Sequence, residues 1–313
     1  MTVWRSLWSL ALGLPAAGFA VWALADNPKL FFTTTLNGLT LAALYFLVAS
    51  GFTLVFGLMK NVNLAHGSLY LLGAYVGYVA GERTGSWMVA VAAGFASAAV
   101  FGLVLQAAVF RLMHGEDMRQ TMVTIGLSIM LADLLLWTFG GEIYQFDPPR
   151  AIFGRTPLPV VDVYPTYRLV LLAMSAGIGV LLWWFLNRTR VGMMIRAGVD
   201  DRGMLAASGV NVQAVFAITF AIGAGLAGFA GVVGGTALSI APGEDTRYML
   251  ASLVVVIVGG MGSVVGAAIG ATLIGVAEQF GLAYAPTYSV VFTFVIMALV
   301  LAFRPQGMLG RRG

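Results

Sequence analysis

Polar side chains crowd residues 61–68, between two long apolar runs at 32–59 and 69–80. The stretch holds two asparagines, a serine and His66, which is one of only 2 histidines in the chain. Each of these side chains can donate or accept hydrogen bonds. Because an unpaired polar group in hydrocarbon costs several kcal/mol, the stretch must line protein, water or the membrane surface. His66 is therefore either a helix-end hydrogen bond that fixes the turn at Gly67 or a direct contact to a transported solute.

Residue sets for enzymatic chemistry are absent from the sequence. The chain has 0 cysteines, which excludes thiolate metal sites and cysteine nucleophiles. It has no Gly-x-x-x-x-Gly-Lys-[Ser/Thr] motif, and its only lysines are Lys29 and Lys60, so it does not bind ATP as P-loop proteins do. It has no His-Glu-x-x-His motif, and we do not expect His66 and His114 to share a metal. The sequence thus predicts no enzyme activity, no metal and no bound cofactor.

The composition predicts an all-α, polytopic helical membrane protein. The chain is 60% hydrophobic and 10% charged, whereas soluble domains have about 25% charged residues. Apolar runs of about 20 residues recur, and most lack the polar stripes of helices around a soluble core. The runs are continuous rather than alternating, which argues against a β-barrel. The net charge of +4 reflects basic residues at the cytoplasmic side of a membrane and predicts no nucleic-acid binding.

Apolar runs divide the chain into about nine or ten membrane segments, some of them short or broken. They cover residues 7–25, 32–59, 64–80, 88–110, 121–139, 169–186, 212–238, 249–280 and 288–303. The first makes residues 1–26 a signal anchor or a cleaved signal peptide, and its length favours retention. A transmembrane domain then occupies residues 27–313, with a polar, proline-rich external loop at 140–167. Ser50 and Gly51 can bend or tilt the second run.

A glycine-rich interruption at 259–263 is expected to split the run 249–280 into two half-length helices or a re-entrant pair. With two crossings there and a cytoplasmic N-terminus, eleven of the 17 basic residues fall on the cytoplasmic side, as the positive-inside rule requires. The cytoplasmic set is Arg5, Lys60, Arg111, Arg119, Arg188, Arg190, Arg196, Arg202, Arg304, Arg311 and Arg312, and the external set is Lys29, Arg83, Arg150, Arg155, Arg168 and Arg247. A single crossing would place the C-terminal tail and the loop after the run 169–186 on opposite sides.

The two interruptions, at 61–68 and 259–263, lie in the two halves of the chain. In transporters such breaks expose helix ends near the substrate path, so we predict that both face a translocation path. Small residues fill the run 212–238 and recur at Gly262, Gly266 and Gly270, which predicts close helix packing or sliding helix contacts. The intramembrane acids are Asp133 and Glu278, and helix packing or interface hydrogen bonding is favoured over ion coupling as their role.

The most charged loop, residues 187–211, contains a short helix with an apolar side. Asp200 and Asp201 suit its start, and Gly209 suits its end. Its apolar residues are Met204, Leu205 and Ala207. A partly apolar helix outside the membrane predicts docking to a partner, whereas a solvated loop would explain the arginines alone.

Four motifs occur in order along the chain: Asn37-Gly38; Asn63-Leu64-Ala65-His66-Gly67; an arginine-rich loop from Arg190 to Gly209; and Gly259-Gly260-Met261-Gly262-Ser263-x-x-Gly266, followed by Glu278 and a basic tail at 304–311. Together they resemble the permease subunit of branched-chain amino acid ABC importers, the LivH type. The resemblance spans residues 31–312, nearly the whole chain. The N-terminal run departs from the family pattern, since members often begin near the second run.

The resemblance implies an ABC importer transmembrane domain, multi-pass in a bacterial inner membrane and in contact with lipid. It implies a second related permease, two cytosolic ATPases that use ATP, and a periplasmic substrate-binding protein. The loop 190–209 would hold the coupling helix that fits one ATPase. The candidate path residues are Asn37, Asn63, His66, Gly67, Ser68, Gly259, Gly260, Gly262 and Ser263. The candidate ATPase contacts are Arg196, Asp200, Asp201, Arg202, Met204, Leu205, Ala206, Ala207 and Gly209.

Two rival functions remain open at this point. The first is an importer of the same architecture for urea, short amides, or aromatic or other carboxylates, because nothing in the spans excludes these cargoes. The second is a stand-alone secondary transporter or channel, which the sparse intramembrane charge and the partner-like loop disfavour. A membrane enzyme would need an acid, base or nucleophile set that the sequence lacks.

Overall fold

A computed structural model describes residues 18–59, 63–113 and 115–310, and these ranges are mostly helical. The beginning of the first apolar run lies outside them, so its prediction as an anchor or signal peptide is not addressed by the structure. Lys60, Asn61, His114 and the last two arginines also lie outside the described residues.

The described part of the chain contains twelve α-helices, numbered in chain order. They are α1, which includes residues 18–26, α2 (Pro28–Met59), α3 (His66–Thr84), α4 (Trp87–Leu105), α5 (Asp117–Phe139), α6 (Thr166–Arg188), α7 (Arg190–Asp200), α8 (Arg202–Ala207), α9 (Val212–Ala237), α10 (Glu244–Gly259), α11 (Val264–Tyr284) and α12 (Ser289–Phe303). A π-helical segment, Gln106–Phe110, continues α4, and short 3-10 turns lie at Arg150–Ile152 and Pro286–Tyr288. Within the described ranges, 6 helices are long and apolar enough to cross a membrane: α2, α4 with its π-helical end, α5, α6, α9 and α11. The predicted polytopic helical membrane protein is confirmed.

The bundle is built around α2 and α9. In their most apolar windows, 89% of the α2 residues and 72% of the α9 residues are buried, against 17% for both α5 and α6. Hydrocarbon is as apolar as leucine, so helices in a membrane associate through close packing of small residues. Gly51 of α2 packs on Gly223 of α9, and Gly228 of α9 packs on Gly73 of α3 and Gly94 of α4. The small residues of the run 212–238 therefore serve close packing, as predicted.

Replacing Gly223 with leucine is expected to prevent assembly of the folded bundle. A Cβ at position 223 would lie 2.7 Å from both the Gly51 carbonyl oxygen and the Val55 side chain, and backbone cannot yield as a side chain can. Overpacking of this kind costs about 1–3 kcal/mol or more. The amount of monodisperse protein after detergent extraction and its melting temperature measure the effect. The control is Gly177→Leu on α6, where a Cβ meets nothing within 4 Å; equal losses in both variants would contradict the packing argument.

The loop 140–167 contains a small antiparallel hairpin that the sequence analysis did not predict. Its strands are β1 (Arg155–Leu158) and β2 (Asp162–Pro165), with Arg155 opposite Pro165. Asp162 has a φ of 58°, which the turn between the strands requires, and it forms an ion pair with Lys29 at the start of α2. The hairpin thereby covers one end of the bundle.

The predicted interruption at 259–263 is confirmed as a turn between α10 and α11, but α11 is not half-length, since its 21 residues are long and apolar enough to cross a membrane. Gly260 and Gly262 have φ values of 105° and 78°, which side chains other than glycine rarely adopt. The C-terminal tail covers the turn, because the Met308 and Leu309 amides donate to the Val258 and Gly259 carbonyls at 2.8 and 2.9 Å. These bonds satisfy carbonyls that the end of α10 would otherwise leave unpaired.

Candidate translocation site

Helix α3 begins deep inside the bundle rather than at its end. His66, its first residue, is fully buried, and its Nε2 lies 3.1 Å from the Val48 carbonyl oxygen. Val48 precedes the end of α2 at Met59 by eleven residues, which is about 16 Å of helix. The break predicted around 61–68 is therefore a helix start within the bundle.

Backbone and side-chain hydrogen bonds hold this helix start. The Asn63 side chain accepts from the Ala65 amide at 3.1 Å, and its carbonyl accepts from the His66 amide at 3.3 Å. The His66 ring also meets the edge of Phe52, with 5.4 Å between ring centroids. Full burial and the bond to α2 favour the helix-end role of His66 over direct contact with a solute. His66 Nδ1 and Asn63 Nδ2 are buried and have no hydrogen-bond partner among the described residues.

Helix α5 is hydrogen-bonded to the start of α3. Ser68 Oγ lies 2.7 Å from Ser128 Oγ, and the Leu64 amide donates to Thr124 Oγ1 at 3.4 Å. Ser68 is fully buried, and α5 is among the least buried spans of the bundle. An outer helix is thus joined to the start of α3 by polar contacts.

Helix α10 also begins inside the bundle, and its start meets the start of α3. Gly67 packs against the Asp245 carbonyl and the Met249 side chain so closely that no Cβ would fit. Tyr248 in the next turn lies 5.9 Å, centroid to centroid, from Tyr45, which is fourteen residues before the end of α2 at Met59. Two helix starts therefore face one another near the middle of α2.

The predicted break at 259–263 packs elsewhere than on the start of α3. Gly262 packs near Gly57, close to the end of α2, and Gly260 packs against the C-terminal tail. The partner of the α3 start is instead the start of α10, which hydropathy alone places at Met249. The physical reason is that the first turn of α10 is polar, with Glu244 and Asp245 favoured there by the helix dipole. The Pro-Gly pair before Glu244 was a usable signal for the start of this helix.

Charged groups gather beside the start of α10. Arg247 lies 3.5 Å from Glu244 and 3.4 Å from Glu278 of α11, and the Tyr45 hydroxyl donates to Glu278 at 2.8 Å. Hydropathy leaves Arg247 in an external loop before the run 249–280. In the structure Arg247 lies within the first turn of α10. Glu278 therefore links three helices, as its predicted packing role requires. Asp133, the other intramembrane acid, is exposed on α5.

Asn37 lies at a different level of the bundle. Its side-chain oxygen accepts from Arg168 Nη1 at 2.9 Å and from the Tyr164 hydroxyl at 3.1 Å. Arg168 belongs to α6 and Tyr164 to the hairpin. Along α2, Asn37 lies eleven residues, or about 16 Å, before Val48, which marks the level of the α3 start. Asn37 thus anchors the hairpin to α2 and is not brought together with the starts of α3 and α10.

The loop 187–211 folds into two helices, α7 and α8. The short helix predicted from Asp201 is confirmed, because Asp201 Oδ1 accepts from the Met204 amide at 3.0 Å and Gly209 has a φ of 80° just after the helix. Helix α7 was missed, although Thr189 caps it by accepting from the Gly192 amide at 3.0 Å. The signal that could have found it was a threonine before apolar residues at helical spacing, Val191, Met194 and Ile195.

The predicted ATPase contacts in this loop fall into an exposed set and an inward-facing set. Those exposed are Asp200, Asp201, Met204, Ala206, Ala207 and Gly209. Three predicted ATPase contacts point inward instead: Leu205 is buried, Arg196 donates to the Asn187 side chain at 3.0 Å, and Arg202 lies 4.9 Å over the Phe216 ring. Burial lowers the pKa of Arg202, and the nearby Asp117 carboxylate at the start of α5 opposes that shift. These three residues attach the loop to the bundle.

Comparison with known proteins adds a family and several relatives. The family described as branched-chain amino acid transport system, permease component, matches residues 34–301. The chain is 31% identical over 291 residues to the branched-chain amino acid permease BraD of Pseudomonas aeruginosa, covering 88% of this chain and 94% of BraD. It is 32% identical over 302 residues to LivH of Escherichia coli, covering 90% of this chain and 96% of LivH. It is 28% identical over 241 residues to the E. coli ribose import permease RbsC, covering 73% of this chain and 71% of RbsC. No solved structure matches the chain.

Proposed function

This chain belongs to the family of permease components of branched-chain amino acid transport systems, and we propose that it is a membrane subunit of an ATP-driven importer of branched-chain amino acids. It is a transporter component and not an enzyme. Its spans are mostly uncharged, which suits the passage of a net-neutral zwitterion such as leucine, isoleucine or valine. Two relatives, BraD and LivH, are branched-chain amino acid permeases by name and match this chain along nearly their whole length, which supports this cargo.

The observation that carries the proposal is the meeting of two helix starts inside the bundle. Helix starts expose unpaired amides and a partial positive charge, and broken helices near the midplane are where transporters place their substrate path. The start of α3 at His66 and that of α10 at Glu244 supply such ends at one level, with Gly67 between them. We infer that the path passes beside this contact. The turn at 259–263 would then shape the cytoplasmic end of α10 and not the centre of the path.

Partner subunits complete the proposed machine. The chain has no ATP-binding motif, so two cytosolic ATPases would supply the energy, and the exposed side of α8 offers them a docking surface. A second related permease would complete the pore, and a periplasmic binding protein would select the cargo. The assembly would operate in the bacterial inner membrane.

Reconstitution tests this function. The chain, its partner permease and the ATPases are placed in proteoliposomes with the cognate binding protein, and uptake of labelled leucine is followed with and without ATP. We expect ATP-dependent leucine uptake to exceed the ATP-free rate at least about tenfold. Uptake of urea or ribose in place of leucine would reassign the cargo. Leucine uptake driven by an ion gradient without the ATPases would overturn the importer proposal.

A further inference from the structure

We propose that Arg247 and Glu278 contact the two charged ends of an amino acid during translocation, with Arg247 facing its carboxylate and Glu278 its ammonium group. This inference rests on the proposed function and names residues that select the class of cargo within the membrane. It adds substrate contact to the packing role of Glu278, and it assigns Arg247 to the path.

The Arg247 side chain has bonding capacity to spare. Its distances of 3.5 Å to Glu244 and 3.4 Å to Glu278 are longer than the roughly 2.7–2.9 Å of a strong charge-assisted hydrogen bond. Its side chain is 44% exposed, although it lies in the first turn of a helix that starts inside the bundle. A guanidinium has five donors, so these two contacts leave donors for a carboxylate.

The exposed side of α10 must face water or protein rather than lipid. Thr246, Arg247 and Leu250 are exposed together, and spacings of three and four residues place them on one side of the helix. A charge turned to hydrocarbon is costly, and charged residues in membrane helices therefore face water-filled cavities or other chains. This side of α10 accordingly belongs to the path that a second permease would enclose.

The local charges match a zwitterion better than a neutral solute. Glu244 and Glu278 each lie within 3.5 Å of Arg247, so in this group of described residues two acids face one base. An ammonium group gains from that excess, while a carboxylate gains from the guanidinium and from the amides at the start of α10. Glu278 already holds its geometry through the Tyr45 hydroxyl at 2.8 Å, which presents its carboxylate in a fixed position. Urea or a sugar has no charge for this pair to contact.

Neutral variants in the reconstituted complex test the inference. We expect Glu278→Gln and the double variant Arg247→Gln/Glu278→Gln each to lower leucine transported per ATP at least about tenfold, with binding-protein-stimulated ATP hydrolysis within about twofold of the parent. The matched control is Glu116→Gln, which removes the exposed pair of Glu116 with Arg119, 2.9 Å apart, and should leave both rates unchanged.

The double variant separates recognition from a purely structural role. Removing both members of the Arg247–Glu278 pair leaves Glu244 as the remaining charge of this group, at the start of α10 where the helix dipole favours a carboxylate, so the double variant is expected to stay folded. If the pair only joins α10 to α11, the double variant should transport leucine with parental coupling, and that result would overturn the inference. If Glu278→Gln fails to assemble, the double variant alone decides. Failure of the parent complex to transport leucine would instead contradict the proposed function.

Discussion

Replacement of Met204 by glutamate is expected to lower binding-protein-stimulated ATP hydrolysis at least about tenfold while leaving the chain inserted and assembled. Met204 is 75% exposed on the outward side of α8, so the change removes little packing within the chain. A carboxylate buried at an apolar contact with an ATPase would lose its hydration without a partner. The measurement is ATP hydrolysis by the assembled complex with and without loaded binding protein, alongside the amount of ATPase that copurifies.

The conservative variant Met204→Leu serves as the control and should keep at least about half of the stimulated hydrolysis, because it retains an apolar side chain of similar volume. Stimulated hydrolysis at the parental level in Met204→Glu would remove α8 from the ATPase contact. Asp201→Arg and Gly209→Trp should also abolish stimulation, but both would disturb α8 itself. Asp201 caps the helix, and Gly209 has a φ of 80°. Met204 therefore gives the cleaner test of docking.

Hydropathy predicted most of the helical spans because each long apolar run buries side chains in lipid or against small residues. It misplaced the start of α10, because Glu244 and Arg247 are polar and yet helical. The Pro-Gly pair before Glu244 marks that start locally, whereas its position beside the start of α3 depends on contacts between distant parts of the chain, such as Gly67 with Asp245. No local pattern reports a contact across such a separation. The turn at 259–263 was predicted correctly, since glycines with positive φ announce a break locally.

The candidate site shows the same division between local and non-local information. The sequence predicted that Asp201 begins α8 and that Gly209 ends it, because both residues act on backbone within a few positions of themselves. The inward orientation of Arg202 was not readable, since it depends on Phe216 in α9. The bond from His66 to Val48 likewise joins two helices and sets how deep α3 begins. Residue types therefore identified polar stretches, whereas packing decides which of them meet.

Joining α3 to α5 by a disulfide at Ser68→Cys/Ser128→Cys is expected to stop transport under oxidising conditions. The two hydroxyls lie 2.7 Å apart, cysteine is close to isosteric with serine, and the chain has 0 cysteines of its own. Helix α5 begins at Asp117, whose charge acts on Arg202 of α8, and it contacts the start of α3 through Ser128. Movement of α8 by the ATPases would thus pull on α5 and shift it against α3.

The disulfide tests whether that shift is required for the path to open. We expect leucine uptake to fall to the ATP-free level in the oxidised double variant and to recover at least about half of the parental rate after reduction, since thiol–disulfide exchange is reversible. Each single cysteine variant should transport normally in both conditions. Uptake by the fully cross-linked protein at the parental rate would show that α3 and α5 move as one body. The signal from α8 would then have to reach the helix starts through α9, on which Arg202 also rests.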